Sequence, residues 1–124
     1  MRKIFTILSL VFSMTLFAQG GSDVINALKE ADASKFSSYF NSTLDIKLPQ
    51  KDEMKSITKS EATSAITNFF TANNINGFEV ISQREMSGTM YIAGKLKNGS
   101  ENYSITVMLK DKGGDISVIT VRIS

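Results

Sequence analysis

The fold is decided by Met90–Val107, MYIAGKLKNGSENYSITV, in which two alternating apolar and polar segments flank Asn98-Gly99. Asn-Gly between such segments is a strong short-range signal for a β-hairpin. A two-residue turn there predicts three pairs on one face: Met90 with Val107, Ile92 with Ile105, and Gly94 with Tyr103. That face is mostly apolar and the opposite face is mixed, so we expect a half-buried antiparallel hairpin.

Two further strands extend this hairpin. Phe78–Glu85 reads as a strand closed by Ser87-Gly88, and Gly113-Gly114 marks the turn into the last strand. A two-residue loop at Gly113-Gly114 would oppose Ile105 with Arg122 on the core face. One added loop residue, accommodated by a bulge, gives apolar partners throughout. These pairs are Leu109 with Ile119, Val107 with Val121, and Ile105 with Ile123.

Two short helices and one strand are predicted in the N-terminal third. Ser22 is a candidate N-cap for the first helix and Asp32 for the second. The apolar positions that share a helical face are Val24, Ile25, Leu28 and Ala31 in the first, and Phe36, Tyr39 and Phe40 in the second. Leu44–Leu48 then alternates as a strand that ends at Pro49. Gln50–Lys55 reads as a polar loop.

A longer helix follows this loop. Thr58 and Glu61 stand three residues apart as a capping box, which predicts the helix start. Its buried stripe is Ala62, Ala65, Ile66, Phe69 and Phe70. The Asn-rich segment 73–77 tolerates left-handed backbone and predicts the helix end. Helices followed by strands indicate the α+β class, with three N-terminal helices, one of them long, packed on a curved antiparallel sheet.

Residues 1–18 have the composition of an export signal. Arg2 and Lys3 precede the apolar run Ile4–Phe17, and Ala18 offers a small residue for cleavage. The run is shorter than the ~20 apolar residues that a membrane helix needs, although a retained anchor helix is the alternative. No Cys follows the run, so we expect no lipid anchor. We expect a signal peptide at 1–18, one α+β domain at 19–124, and a periplasmic or secreted product.

Composition argues against several functions. The chain has 14 Lys+Arg and 12 Asp+Glu, and removing Arg2 and Lys3 with the signal leaves 12 of each. Nucleic-acid binders need a surplus of basic side chains, which this near-neutral domain lacks. The chain also has no His, Cys or Trp. Catalysis by a nucleophile paired with His, thiol redox chemistry and ordinary zinc ligation each lose an essential residue type. We therefore expect no catalytic set, no metal site and no cofactor.

The order of elements resembles the cystatin-like α+β roll of the nuclear transport factor two-like (NTF2-like) superfamily. The chain is also similar to a family of exported bacterial proteins of unknown function, mostly from Bacteroidetes. The matching segments are Thr58–Ala62 leading to Phe69-Phe70, then Tyr91–Leu96, and the terminal Ile119–Ile123. The resemblance implies a bent sheet that wraps a long helix and leaves a cone-shaped cavity. It implies an exported protein, and it transfers no site residues.

Four aromatic residues are the best candidates for lining such a cavity: Tyr39, Phe40, Phe70 and Tyr103. Aromatic rings give a ligand site area, and a Tyr adds a hydroxyl. The plainer interpretation is that these rings fill the core between helix and sheet. Gly94, predicted opposite Tyr103, would leave room beside the ring or let the strand bend.

Three functional hypotheses follow. The favoured one is an exported, non-catalytic binding module that holds a small apolar ligand or a protein partner, with a homodimer through the sheet left open. The second is a small isomerase-like or dehydratase-like enzyme that uses a carboxylate and Tyr103. The third is a cell-envelope assembly protein that uses the sheet face around Tyr91, Ala93 and Thr106. An enzyme needs a sequestered carboxylate, whereas a binder needs an open apolar cavity.

Overall fold

The computed structural model describes residues 20–112 and 115–124. The predicted signal peptide at 1–18 and the predicted turn at Gly113-Gly114 lie outside the described residues. The helical segments are residues 20–29 (α1), Ala33–Ser37 (α2) and Lys59–Ala72 (α3). The strands are Phe40–Lys47 (β1), Met54–Thr58 (β2), Gly77–Met86 (β3), Thr89–Lys97 (β4), Asn102–Lys112 (β5) and Asp115–Ile123 (β6).

The six strands form one sheet in the order β2-β1-β6-β5-β4-β3. The sheet is mixed, because β1 runs parallel to β6 with Ile46 beside Val121. The prediction of an antiparallel sheet was therefore wrong at this one pairing. Parallel neighbours far apart in the chain share no turn, so no local signal marks their direction. Bulges in β1, β3 and the β5–β6 pair bend the sheet.

The predicted loop Gln50–Lys55 contains the start of a strand. β2 begins at Met54 and pairs antiparallel with β1, bringing Leu44 opposite Ile57. It forms one edge of the sheet, and its residues are at most half-buried. Little in the segment marks it as a strand, because only Met54 and Ile57 are apolar. Edge strands with one covered face need no continuous apolar run.

The hairpin at Asn98 forms with a wider loop than predicted. The Asn98 N–H donates to the Glu101 carbonyl at 3.2 Å, and the Asn98 side-chain oxygen accepts from the amides of Ser100 and Glu101. The observed pairs are Ile92 with Val107, Gly94 with Ile105, and Leu96 with Tyr103. The predicted register was therefore wrong by two residues. Because two is the period of a strand, the same side chains still face the core.

The two neighbouring hairpins follow the prediction more closely. Met86 pairs with Thr89 across Ser87-Gly88, where both turn residues have positive φ, as a tight two-residue turn requires. In the β5–β6 pair, Ile105 lies opposite Ile123 and Val107 opposite Val121, as predicted. The pair expected between Leu109 and Ile119 was wrong. A bulge falls between Met108 and Leu109 and brings Val118 opposite Leu109 instead.

The short helices differ from the prediction at their ends. Residue 20 is already helical, so Ser22 lies inside α1 and does not cap it. Asp32 does cap α2, accepting from the Lys35 amide at 3.0 Å. Phe40 is not on the face of α2 but begins β1. The chain enters the sheet there because the Val118 N–H donates to the Tyr39 carbonyl at 2.7 Å.

The core lies between the helices and one face of the sheet. Its largest fully buried side chains include Phe36, Leu28, Ile46, Ile66, Ile92 and Leu96. α3 contributes Ala62, Ile66 and Phe70 as buried residues, and Ala65 and Phe69 pack against the core at its margin. Each of these positions belongs to the predicted stripe, so the amphipathic interpretation of this helix is confirmed.

The start of α3 carries a testable stabilising device. The Thr58 hydroxyl oxygen accepts from the Glu61 amide at 3.2 Å, and the Glu61 carboxylate accepts from the Thr58 amide at 3.4 Å. We expect Thr58→Ala to lower the free energy of unfolding by about 1 kcal/mol, measured by urea denaturation. Thr58→Ser should retain most of the wild-type value. The control Thr63→Ala removes a hydroxyl bonded within the helix and should change stability by less than about 0.5 kcal/mol.

Gly94 is required where β4 pairs closely with β3, next to the bulge after Val80. A Cβ at this position would overlap the Glu79 carbonyl oxygen and lie 2.6 Å from Cε1 of Phe78. Since backbone cannot move aside, we expect Gly94→Ala to destabilise the fold by about 2 kcal/mol. Gly77→Ala is the matched control, because the nearest atom to its added Cβ is 3.9 Å away. If the two variants unfold at the same temperature, β3 does not lie this close to β4.

Candidate functional site

A line of aromatic rings runs from the core to the surface. The Phe36 ring meets Phe40 edge-on at 5.2 Å between centroids and stacks with Phe70 at 6.5 Å. Phe70 in turn contacts Phe69 at 6.5 Å, and Phe69 meets Tyr103 edge-on at 5.3 Å. Phe40 and Phe70 are buried, whereas Phe69 and Tyr103 are half-buried. The line therefore has a closed end in the core and an open end at Phe69 and Tyr103.

The open end borders a groove with a volume of about 550 Å³. This α3 groove lies between the second half of α3, the segment that joins β1 to β2, and the β4–β5 loop. Its apolar lining consists of Leu48, Pro49, Met54, Ala65, Phe69 and Ala72. Its polar lining consists of Gln50, Lys51, Asn68, Asn73, Glu101 and Tyr103.

A tight turn shapes the wall opposite α3. The Lys51 amide donates to the Leu48 carbonyl at 3.2 Å, which closes a four-residue turn with Pro49 and Gln50 at its centre. Pro fits the first central position, while Gln50 adopts φ 62°, a conformation that glycine takes more readily. The turn places Gln50 and Lys51 in the lining of the groove.

The polar end of the α3 groove is a hydrogen-bonded cluster. The Tyr103 hydroxyl lies 3.1 Å from Asn73 Oδ1 and 3.1 Å from Glu101 Oε2. Two hydrogen bonds hold Asn73 in place. Its side-chain nitrogen donates to the Phe69 backbone carbonyl at 2.9 Å, and its backbone carbonyl accepts from the Asn98 side chain at 2.9 Å. The cluster joins the end of α3 to the β4–β5 loop.

The protonation state of Tyr103 follows from its surroundings. Burial of the ring raises the pKa of the Tyr103 hydroxyl, and the hydrogen bond and negative charge of Glu101 raise it further. Both causes oppose a phenolate beside a carboxylate. At neutral pH the hydroxyl therefore keeps its proton and acts as a hydrogen-bond donor.

The four candidate aromatic residues do not converge on one space. Tyr103 lines the α3 groove, and Phe70 lines a second cavity of about 550 Å³ beside the α1–α2 connection. Phe40 belongs to the core, and Tyr39 packs against the core from the segment before β1. Phe36 links Phe40 with Phe70, so these three rings contribute to packing.

Of the twelve described residues that line the groove, only Tyr103 was a sequence candidate, and the missed residues include the three that contact its side chain: Phe69, Asn73 and Glu101. Phe69 was assigned to the buried stripe of the helix, and Asn73 to its end. Their spacing of four residues places both on one helical face, so that spacing was a usable signal. Glu101 gave no such signal, because its position depends on the four-residue loop at Asn98.

Acidic side chains in the described ranges 20–112 and 115–124 lie at the surface or are half-buried. Within those ranges there is no group of three or more Asp or Glu that could hold a metal ion. No helix among the described residues is long and apolar enough to cross a membrane.

The chain is similar to one family model and to several solved structures. The family model described as "Domain of unknown function (DUF4783)" matches residues 21–124. A DUF4783 family protein from Bacteroides ovatus superposes with a TM-score of 0.73 at 24% identity, over 82% of this chain and 90% of that chain. No curated protein matches the chain.

Two further solved structures share the architecture. An uncharacterized cystatin-fold protein from Novosphingobium aromaticivorans has a TM-score of 0.62 at 14% identity, over 86% of this chain and 95% of that chain. An NTF2-like protein of unknown function from Cytophaga hutchinsonii has a TM-score of 0.56 at 8% identity, over 82% of each chain. At such identities the likeness concerns the fold alone, and it confirms the predicted α+β class and NTF2-like or cystatin-like resemblance.

Alkaline pH tests the hydrogen-bond cluster. The folded protein raises the pKa of Tyr103 above the ordinary tyrosine value of about 10. The protonated hydroxyl therefore makes its full contribution to the free energy of unfolding below about pH 10, and this contribution is lost as pH rises through the higher folded-state pKa. We expect wild type to have a higher urea midpoint than Tyr103→Phe at pH 8, and this difference to shrink at pH 11.

Tyr91→Phe is the matched control for this experiment. The Tyr91 hydroxyl makes no hydrogen bond with the described part of the chain, so this variant should stay close to wild type at pH 8. A difference between wild type and Tyr103→Phe that grows toward pH 11 would contradict the assignment of the hydroxyl as a donor.

Proposed function

Since the chain belongs to the family described as "Domain of unknown function (DUF4783)", whose fold is known and whose activity is not, we propose that it is an exported, non-catalytic binding module. The α3 groove holds its ligand, a small amphipathic molecule. The observation that carries this proposal is the open groove beside Phe69, whose lining combines apolar and polar residues.

The dimensions and chemistry of the groove support a small ligand. Its volume of about 550 Å³ lies within the range of small-molecule pockets. The Phe69 ring is held between Phe70 and Tyr103, so it offers a fixed apolar surface that loses little freedom on binding. The Asn73 and Tyr103 side chains are already oriented by hydrogen bonds, which suits them to fix a polar head.

Export to the periplasm or beyond is proposed from residues 1–18. Their order of basic start, apolar run and small residue supports a cleaved signal. A domain without Cys depends on its apolar core for stability in an oxidising compartment. Mass determination of the purified mature protein would locate the new N-terminus. A start near Gln19 is the expected result, and an intact Met1 would contradict it.

The contact between Tyr103 and Glu101 favours an enzyme as the second candidate. A carboxylate 3.1 Å from a tyrosine hydroxyl at a groove is one arrangement for proton transfer. The Glu101 side chain is exposed, however, and a catalytic base at neutral pH is usually sequestered to raise its pKa. The binding module therefore ranks first.

The assembly hypothesis has weaker support. Tyr91, Ala93 and Thr106 are half-buried in the sheet, with Ala93 paired to Thr106, and they mix apolar with polar groups. The homodimer through the sheet that was left open for the binding module would also use this face. Sedimentation equilibrium across protein concentrations measures it directly, and a monomer throughout would exclude it.

Filling the groove tests the proposed function. Ala72 lines the α3 groove and is exposed, so Ala72→Trp fits a ring into the space without removing a core side chain. With the neutral fluorescent probe N-phenyl-1-naphthylamine, we expect wild type to bind and Ala72→Trp to bind at least tenfold more weakly.

Thr67→Trp is the matched control, because Thr67 is exposed on the same helix and does not line the groove. It should bind the probe as wild type does. Equal binding by all three proteins would place the probe elsewhere, and no binding by wild type would overturn the proposed site.

A further inference from the structure

The polar end of the α3 groove holds two acceptors for one proton. The Tyr103 hydroxyl has a single hydrogen to donate, yet Asn73 Oδ1 and Glu101 Oε2 both lie 3.1 Å from its oxygen. An ionised carboxylate only accepts, and so does an amide oxygen. At any moment one of the two acceptors therefore lacks the Tyr103 proton.

The Asn73 side-chain amide is not free to rotate and present its nitrogen, a second donor, to Tyr103. Its nitrogen donates to the Phe69 carbonyl at 2.9 Å, which keeps the oxygen toward Tyr103. The backbone carbonyl of Asn73 is also engaged, since it accepts from Asn98 at 2.9 Å. The surplus hydrogen-bond acceptor therefore lies where the end of α3 meets the β4–β5 loop, and a donor on a bound ligand would pair with it.

The two charged residues of the groove lining, Glu101 and Lys51, also favour a cationic ligand. Glu101 is fixed by its contact with Tyr103 and by its backbone amide, which donates to Asn98 at 2.7 Å. Lys51 is the cation of the groove lining, and it makes no side-chain hydrogen bond or ion pair with the described residues. A charge already held in place binds with less loss of freedom than one on an unrestrained side chain.

We infer that the α3 groove selects a small arylalkylamine, with its aromatic body against the apolar lining residues and its ammonium group at Asn73 and Glu101. This inference rests on the proposed function and names the ligand class. The ammonium supplies the missing donor to either acceptor and neutralises Glu101. The rings of Phe69 and Tyr103 border the same end of the groove, where a cation over an aromatic face is also favoured.

A matched series of probes tests the head group. We would displace N-phenyl-1-naphthylamine from wild type with 2-(1-naphthyl)ethylamine, 2-(1-naphthyl)ethanol and 1-naphthylacetate, which share one aromatic body. The amine should displace the probe at a concentration at least fivefold lower than the alcohol, and the carboxylate should be weakest. Added salt should reduce the advantage of the amine, because the groove is open to solvent.

Two variants assign the preference to a side chain. Glu101→Gln keeps an oxygen that can accept from Tyr103 and removes the charge, so the amine should fall to the level of the alcohol. Lys110→Gln, at an exposed lysine outside the groove lining, is the control and should leave the preference for the amine intact. Thermal unfolding of Glu101→Gln close to wild type would show that the fold is preserved.

The outcomes separate the two proposals. If the probe binds the groove but amine, alcohol and carboxylate compete equally, the inference about the head group is wrong and the binding function stands. If the carboxylate is instead the best competitor and loses this advantage in Lys51→Gln, Lys51 selects an anionic head group and the inference is wrong. If wild type does not bind the probe at all, the proposed function and this inference fall together.

Discussion

The structure depends on the enclosure of Phe36 between α3 and the sheet. This ring has no exposed surface and contacts Phe40 on β1 and Phe70 on α3. With no cysteine in the chain, burial of such side chains is the main force that holds the layers together. The same packing sets the position of α3, so the groove along its second half is shaped by contacts made on its buried face.

Local patterns in the sequence predicted the local structure well. The capping box at Thr58, the stripe through Phe70 and the tight turn at Ser87-Gly88 each depend on residues close together in the chain. Features set by distant residues were harder to predict. The parallel pairing of β1 with β6 has no connecting turn, and β2 carries too few apolar residues to stand out from a loop. The hairpin register was missed because the Asn98 side chain binds two amides and widens the loop.

The candidate site was predicted in part, for a related reason. Tyr103 was identified as a ring with a hydroxyl, and it does line the α3 groove. Phe40 and Phe70 were identified by the same aromatic signal, but they belong to the buried end of the ring line. Aromatic character alone cannot distinguish a ring that packs in the core from a ring that lines a groove. That separation depends on which neighbours the fold supplies, and for Tyr103 these are Asn73 and Glu101, from the end of a helix and from a loop.

The parallel pairing of β1 with β6 also determines which part of the chain completes the sheet. β6 lies between the β2-β1 pair and the β5-β4-β3 meander, and it follows the other five strands in the sequence. The strand that joins the two halves of the sheet is therefore synthesised after both of them. Without β6, no other strand in the described part of the chain joins the two halves of the sheet, so closing the sheet depends on contacts between residues far apart in the chain. A chain that stopped before β6 would hold two separate sheet fragments, β2-β1 and β5-β4-β3.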